Sequence, residues 1–452
     1  MSIGGERGMG MEYPAYVGEV FSRLQKNGHQ AYLVGGCVRD HLMDRAVSDL
    51  DITTDALPSE VQRIFADHPQ HAAGLKHGTI TVFFDKEGVE ITTFRQDGEY
   101  KDARRPERVF FSKTLQEDLQ RRDFTINALA FSPRDGLVDL FGGRSDMQDK
   151  IIRAIGDPRE RFSEDGLRIL RAVRFASQLG FVIEERTYAA MLEMLPILEK
   201  ISAERKAVEL VKTLMGRSAA SVLMAYPEIF ATIVPEVLMM KGFDQNNPHH
   251  IYDVLEHTAW VIHHTPFSKD LRLAAFFHDM GKVHTYTEAD GIGHFYGHVK
   301  VSEEIAAKTM HALKMDRRTM KEVRMLVRYH DAQILCTKRS VKRWLDRMGE
   351  ESFFKLLDLK RADSLAQAPE YYGRLEDIKE VRAIAEEIIA EQECFQLKDL
   401  AVDGRDMMEL GLCGRSIGEA LALALEAVIE EKVSNDRREL IRYIKMNYPA
   451  ER

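Results

Sequence analysis

The chain has 452 residues, 44% hydrophobic and 30% charged, with 13 prolines and 30 glycines, a balance that excludes collagen-like, low-complexity and disordered readings. This length exceeds what one core usually holds, so two to four compact units are expected. A formal net charge of -9 excludes a polybasic nucleic-acid coat but leaves room for a local basic cleft. Four cysteines, Cys37, Cys336, Cys394 and Cys413, are scattered without a CxxC pair, which argues against a disulfide framework or a cysteine zinc knuckle and for a reducing, cytoplasmic setting. No uncharged apolar run approaches roughly 20 residues and the N-terminus lacks the pattern of an export signal, so no membrane association is expected.

The spacing predicts a helix over Tyr13 to Lys26. Ala31 to Gly36 (AYLVGG) reads as an apolar strand running into a double glycine, and Asp49 to Thr53 (DLDIT) as a second strand. Pro58 and Ser59 open a helix to Phe65, and Thr79 to Phe84 pairs with Val89 to Phe94 as a hairpin around Asp85-Lys86-Glu87-Gly88. These elements make a small α/β head. From Ile151 onward apolar residues recur at three- and four-residue intervals, segment after segment, so the remainder is mostly helical.

Chemistry first concentrates at Ser48-Asp49-Leu50-Asp51. Residues two apart on a strand share a face, so Asp49 and Asp51 present two carboxylates together, which suits a hard divalent ion shared with substrate phosphates. An isolated Asp-x-Asp equally fits a solvated strand end. Its neighbours favour the metal: Gly35 and Gly36 lie at a strand end before a helix, where bare backbone approaches a phosphate, and Arg39 adds a bidentate fork. Glu90, ionisable within the otherwise apolar Val89 to Phe94, is a candidate third carboxylate, its alternative being an exposed strand face.

Four runs occur in order: Leu33 to Asp40 with the Asp49/Asp51 pair, Arg121 to Ala128 (RRDFTINA), Gly136 to Gly143 (GLVDLFGG), and Arg161 to Phe175 (RFSEDGLRILRAVRF). Together they resemble the class II tRNA nucleotidyltransferases, that is, the CCA-adding enzymes and the related bacterial poly(A) polymerases. The resemblance covers the first ~180 residues most strongly, and Leu397 to Leu425 is similar to the same enzymes' tRNA-binding tail. It implies a polymerase-β-like head in which Asp49 and Asp51 hold two Mg²⁺, with Gly35, Gly36, Arg39, Arg122 and Asp123 around the incoming nucleotide. On a helix starting near Glu164, Asp165 and Arg168 would read the base edge, and an acceptor with a guanidinium fork one turn apart can complement C or A. Arg168, Arg171 and Arg174 recur every three residues beside an apolar stripe; a solvated arginine face is the alternative to phosphate and base contacts.

Gln96 to Arg108 (QDGEYKDARRPER) reads as an exposed loop. In the resembled family a flexible loop here helps switch specificity from C to A, and its full length favours complete CCA or A addition over C-only addition. Two positions depart from the family pattern: Asp44 stands where glycine is common, and Gly166 is a poor helix former inside the base-reading run.

A second constellation follows as Val254 to Thr258 (VLEHT), Leu273 to Lys282 (LAAFFHDMGK), Phe295 to His298 (FYGH), Arg328 to Asp331 (RYHD) and Leu359 to Ser364 (LKRADS). Its order of His, His-Asp, His, His, Asp resembles an HD-type phosphohydrolase domain. By position, His257, His278, Asp279 and Asp363 would bind one divalent metal, and His298 and His330 would complete a second site. Imidazole with carboxylate suits Mn, Fe, Ni or Zn, so a transition metal is implied without its identity. His263, His264 and His311 are expected to be satisfied core histidines.

The expected fold class is an α/β polymerase-β-like nucleotidyltransferase head, an all-α neck, an HD-type helical body and a helical tail, divided as 11–150, 151–215, 216–390 and 391–452. The expected function is template-independent, Mg²⁺-dependent addition or repair of the 3′-CCA of tRNA from CTP and ATP. The alternatives are a poly(A) polymerase or an A-only enzyme with the same head, a phosphohydrolase as the main activity, and a non-enzymatic RNA-binding scaffold. The tRNA 3′ end and nucleoside triphosphates are the expected partners, and the oligomeric state stays open.

Overall fold

A computed structural model of the chain describes residues 11–47, 50–97 and 109–448. Its contacts divide into two compact units, one of residues up to Ser218 with Glu228–Ile233, the other of Ala219–Pro227 with Val234 onward.

The first unit begins with α1 (Ala15–Lys26), β1 (Ala31–Val34), α2 (Gly36–Leu42), β2 (Asp51–Thr54), α3 (Pro58–Ile64), β3 (Gln70–His71), β4 (Thr79–Phe84) and β5 (Glu87–Thr93). The small pair β6 (Arg95–Asp97) and β7 (Val109–Phe111) brackets residues 98–108, so most of Gln96 to Arg108, expected to act in specificity, lies outside the described residues. Then come α4 (Leu115–Gln120), β8 (Leu129–Ser132), β9 (Gly136–Asp139) and α5 (Gly143–Gln148). Seven strands form one sheet in the order β3-β4-β5-β2-β1-β8-β9, antiparallel except for the parallel β2–β5 pair.

The four apolar residues of β1 are all buried, and β4 alternates half-buried Thr79, Thr81 and Phe83 with buried Ile80, Val82 and Phe84. The first pattern fits a central strand covered on both faces, the second a strand with one wetter face. Leu33, Ile52, Ile80, Val82, Val89 and Ile91 pack with Val17, Val20, Phe21 and Leu24 of α1 and Phe65. Each such burial contributes about 1.5–3 kcal/mol relative to exposure. The head sheet is thereby fixed before any site residue is placed.

The unit continues through β10 (Ile151–Ile152), α6 (Pro158–Glu164), α7 (Leu167–Leu179), β11 (Val182–Ile183), α8 (Glu185–Glu193) and α9 (Ala203–Leu214). β10 and β11 pair in parallel, a short exception to the expected all-helical neck.

The second unit contains α10 (Ala219–Ala225); after α11 (Pro227–Ala231) it resumes with α12 (Glu236–Met240), α13 (Val254–His264), α14 (Lys269–Phe277) and α15 (Lys282–Thr285). A hairpin of β12 (Thr287–Ala289) and β13 (Ile292–His294) precedes α16 (His298–Ala312), α17 (Arg317–Tyr329), α18 (Lys338–Met348), α19 (Glu350–Leu365) and α20 (Gly373–Ala390). Three helices, α21 (Gly404–Glu409), α22 (Arg415–Ile429) and α23 (Arg437–Asn447), close around Met407, Ala420, Ala424, Leu425, Leu440 and Ile444. No helix among the described residues is long and apolar enough to cross a membrane.

One expectation is corrected here. His263 and His311 are exposed and His264 is half-buried, its ring stacked on Trp260 at 6.2 Å. They sit in the last turns of α13 and α16, on positions turned away from the buried apolar stripe, so helical spacing near an apolar run did not make them core.

Candidate functional site

The turn from β1 into α2 opens the first site. Gly35 adopts φ +78, a backbone conformation that favours glycine, and a Cβ built there would lie 3.0 Å from Arg122 Nη1. Arg39, 7% exposed, is held through Nε and Nη2 by both carboxylate oxygens of Asp40 at 2.9 Å and through Nη1 by Asn127 Oδ1 at 2.5 Å. Its guanidinium stands 5.1 Å from the Phe175 ring, which Arg171 and Arg174 also approach, at 5.2 and 4.4 Å. These residues line a cavity of about 580 Å³ bounded also by Gly36, Asp51, Arg121, Arg122, Asp123, Arg168 and Lys212. Seven cationic side chains face three carboxylates there, Asp40, Asp51 and Asp123, so a chain that is acidic overall carries one cavity with a positive surplus suited to a polyphosphate.

Asp51 opens β2 and is exposed. In the parallel β2–β5 register it pairs with Glu90, which puts both carboxylates on one sheet face; Glu90 is not itself part of the cavity wall. Asp49 lies outside the described residues.

The arginines are positioned by buried acids. Asp118, fully buried, accepts from Arg121 at 2.7 Å, from Arg122 at 3.2 Å and from Thr53 at 3.3 Å. Burial opposes its ionisation, but the two guanidinium charges outweigh that and hold it below the usual carboxylate range. Asp123 accepts from the Phe124 amide and Asn127 Nδ2, both at 2.9 Å, and from Arg171 Nε at 2.7 Å. Against the cost of burial, Arg171 and the Asn127 bond bring its carboxyl down to about 2. Asp123 therefore meets the cavity chiefly by clamping Arg171.

The base-reading run needs a local correction. The helix does not start near Glu164: α6 ends there, Asp165 is extended (φ -140, ψ 101), and α7 begins at Leu167. The break falls at Asp165, while Gly166 already has helical dihedrals (φ -57, ψ -21); a Cβ at Gly166 would come 2.8 Å from Ile197 Cγ2, so the close approach of Ile197 favours glycine there. Asp165 Oδ1 caps the Leu167 amide at 3.1 Å and its Oδ2 accepts from Arg205 of α9 at 2.9 Å. Arg168 instead binds Glu164 at 2.5 Å and the carbonyls of Arg161 and Arg121 at 3.0 and 2.6 Å. Asp165 and Arg168 thus have separate partners, and of the two only Arg168 lines the cavity. Arg174 is buried on Glu209 of α9 at 3.0 Å. The other departure, Asp44, has φ 52, a left-handed conformation that explains the family's glycine and that aspartate tolerates.

The second site is assembled from five helices. His257 lies on α13, His278 and Asp279 follow α14, His298 opens α16, His330 follows α17 and Asp363 lies on α19. Asp279 is the hub. Its Oδ2 is 3.3 Å from His257 Nε2 and 3.2 Å from His278 Nε2, and its Oδ1 is 3.5 and 3.6 Å from the Nε2 atoms of His298 and His330. Asp363 Oδ1 is 3.0 Å from His257 Nε2 and 3.9 Å from His278 Nε2. The six residues expected from the sequence therefore converge.

Each of these imidazoles places Nδ1 against a main-chain carbonyl: His257 on Ala366 at 3.2 Å, His278 on Ala275 at 2.7 Å, His298 on Phe295 at 2.9 Å and His330 on Val327 at 2.7 Å. A carbonyl only accepts, so Nδ1 carries a proton and the Nε2 atoms face the two carboxylates. That is the outer arrangement typical of metal-ligating histidines, and the donor set would suit one or two divalent ions. Burial disfavours charge on His257, yet Asp279 and Asp363 raise its pKa to about 9. His298 is lowered by burial, whereas His330 is raised because Asp279 outweighs burial. The carboxyl of Asp363 is held well below its ordinary range, chiefly by His257 against burial. Lys282 Nζ caps the cluster at 2.7 Å from Asp279 and 2.8 Å from Gln245. Two clefts of about 350 Å³ each open on it and share His330, Asp331, Asp363 and Arg374.

Sequence reasoning missed Asp118, Asn127, Phe175, Arg205, Glu209 and Lys212 in the first site, and Lys282, Gln245 and Arg374 in the second. Asn127, Phe175 and Lys282 stand inside the motif runs and could have been taken from them. Arg205 and Glu209, four apart on α9, had only their helical spacing as a signal.

Residues 31–153 match the model of the poly A polymerase head domain, 180–241 that of a probable RNA and SrmB-binding site of polymerase A, and 283–444 that of a putative tRNA nucleotidyltransferase domain 2. The chain is 34% identical to a CCA-adding enzyme of Bacillus velezensis over 429 residues, 93% of this chain and 95% of that one. A CCA-adding enzyme of Bacillus licheniformis is 51% identical over 205 residues, 45% of this chain and 51% of its own. Among solved structures, the Bacillus stearothermophilus CCA-adding enzyme in complex with CTP aligns with a TM-score of 0.74 at 27% identity, over 96% of this chain and 98% of that one.

Proposed function

The chain belongs to the CCA-adding enzymes, class II tRNA nucleotidyltransferases, and from that premise we propose how its residues perform the reaction. The protein adds C and A from CTP and ATP to the 3′ end of tRNA without a nucleic-acid template. The observation that carries the site assignment is the cavity in which the β1–α2 turn, Asp51 and six arginines meet.

In the proposed reaction, Gly35 and Gly36 admit the triphosphate close to the backbone. Arg39, Arg122, Arg171 and Arg174 neutralise its charge. Asp40, Asp118, Asp123 and Glu209 hold these four guanidiniums, in that order, in place beforehand, so little reorganisation accompanies nucleotide binding. Asp51 with Asp49, and Glu90 beside them, offer the hard oxygen donors that Mg²⁺ takes; when bound, Mg²⁺ supplies Lewis-acid charge at the reacting hydroxyl and phosphate. The tRNA 3′ oxygen bonds to the α-phosphorus as the bond to the β-phosphate oxygen breaks, pyrophosphate departs, and the hydroxyl proton passes to solvent. Arg168 reads the base from the cavity wall, and Asp165 is assigned to base reading by its motif position, with Arg205 orienting its carboxylate. The divisions at 150, 215 and 390 and a cytoplasmic location complete this reading. Incorporation of labelled CTP and ATP into tRNA ending at the discriminator base, at -C and at -CC tests it. Addition of CCA followed by a stop is expected, A-only extension of the -CC end would restrict the reading to terminal A addition, and unlimited A addition would overturn it.

A second reading is favoured by the four Nδ1-anchored histidines around Asp279: the cluster holds a divalent transition metal and hydrolyses phosphoesters. A water oxygen bonds to phosphorus as the ester P–O bond breaks, and the departing alkoxide takes a proton. Metal content by elemental analysis, together with Mn²⁺-dependent phosphate release by the protein and by Asp279→Asn, tests this; metal bound without any phosphate release would leave the cluster architectural.

A further inference from the structure

We propose that His294 and Tyr296 form a stacking ledge that selects a nucleobase-bearing phosphoester for the His/Asp cluster. The proposal rests on the hydrolytic reading of that cluster and names its substrate class. The β12–β13 hairpin ends at His294, and the chain then presents two rings that lie nearly parallel, centroids 5.3 Å apart and planes 11° from each other. Tyr296 is 77% exposed; beyond its stack on His294 the ring leaves most of its surface open, a face free for something else to stack on. Both rings border the same cavity as Asp279, His298, His330 and Arg374. Tyr296 is two residues before His298, which confines the two Cα atoms to within about 7 Å of each other.

Charge completes the fit. Arg374 is exposed, and among the described residues no carboxylate lies within ion-pair distance of it, although it borders both clefts on the cluster. It supplies an uncommitted fork for a phosphate. An aromatic face beside a cation and a hydrolytic centre is the chemistry of a nucleoside phosphate, because every base has a π-face that stacks without sequence preference. A free mononucleotide and the 3′-phosphorylated end of an RNA share that chemistry.

The test uses the full chain and Tyr296→Ala, Tyr296→Phe and Asp279→Asn. Mn²⁺-dependent phosphate release is measured on adenosine 3′-monophosphate, on a 3′-phosphorylated RNA oligonucleotide and on β-glycerophosphate, which has no ring. Equilibrium dialysis of adenosine 3′-monophosphate against the chelated protein supplies a readout without turnover. In Tyr296→Ala the ratio of kcat/KM for the nucleotide over β-glycerophosphate falls roughly tenfold through KM, dialysed nucleotide affinity falls in parallel, and Tyr296→Phe restores both. The same loss on the oligonucleotide with a lower wild-type KM identifies an RNA end, and a loss on the mononucleotide alone identifies a free nucleotide. An unchanged ratio with unchanged dialysis overturns the ledge. Phosphate release that survives Asp279→Asn, or is absent from the wild type, overturns the hydrolytic reading instead, while Tyr296-dependent dialysis still decides the ledge.

Discussion

The nucleotide cavity and the His/Asp cluster solve opposite electrostatic problems. In the cavity, cations outnumber carboxylates, and buried acids hold guanidiniums in place, Asp118 two of them and Asp123 and Glu209 one each. In the cluster two carboxylates sit among four imidazoles within about hydrogen-bonding reach, with Lys282 on Asp279. The first is organised to receive a polyanion that enters and leaves. The donor set of the second suits a divalent cation that stays. A binding site for mobile anionic substrate is therefore built from paired arginines, and a site for a resident cation from anchored imidazoles that share acids.

Four measurements sharpen or break this contrast. Asp51→Ala is expected to reduce nucleotide addition by at least about a thousandfold, while metal-dependent phosphate release at the cluster persists; joint loss would mean that the two sites are not chemically independent. Glu209→Ala leaves Arg174 buried without its partner, and unfolding in urea is expected to show a loss of about 3 kcal/mol, with Glu209→Gln recovering part of it. A neutral effect would show that Arg174 is not held by Glu209.

Next in size is pH. The Asp123 carboxyl lies near 2 in the folded chain, below its unfolded value, so ionised Asp123 stabilises the fold above about pH 4 and that contribution is lost as pH falls toward 2. It amounts to roughly 2 kcal/mol. Asp123→Asn is expected to flatten this acid limb of the urea-stability profile. The smallest effect is that of Arg205→Ala, which frees Asp165. Discrimination between CTP and ATP on a -CC end is expected to weaken about fivefold with little change in KM for the triphosphate, and equal weakening of both would assign Arg205 to phosphate binding.

The two sites were legible to different degrees. Gly35, Gly36, Arg39, Arg122, Arg168, Arg171 and Arg174 all come from three contiguous runs, so local order announced them, and the structure brings them to one cavity. The six cluster residues are strewn from His257 to Asp363; their convergence followed from family order and not from any local pattern. What misled was extrapolation of helical period: it carried α7 back through Gly166 and assigned His263 and His311 to the core.

Composition, strand alternation and helical spacing by themselves determined an α/β head followed by helices, because burial of apolar side chains repeats with the period of each element. The motif runs pointed to the side chains proposed to carry the chemistry. Only the tertiary structure decided which acid holds which arginine, that Asp165 answers to Arg205 and not to Arg168, and that Glu90 stands beside Asp51 in the β2–β5 register. Those choices depend on distances between residues far apart in the chain, such as the approach of Ile197 that leaves no room for a side chain at Gly166, and packing at that range has no counterpart in local spacing.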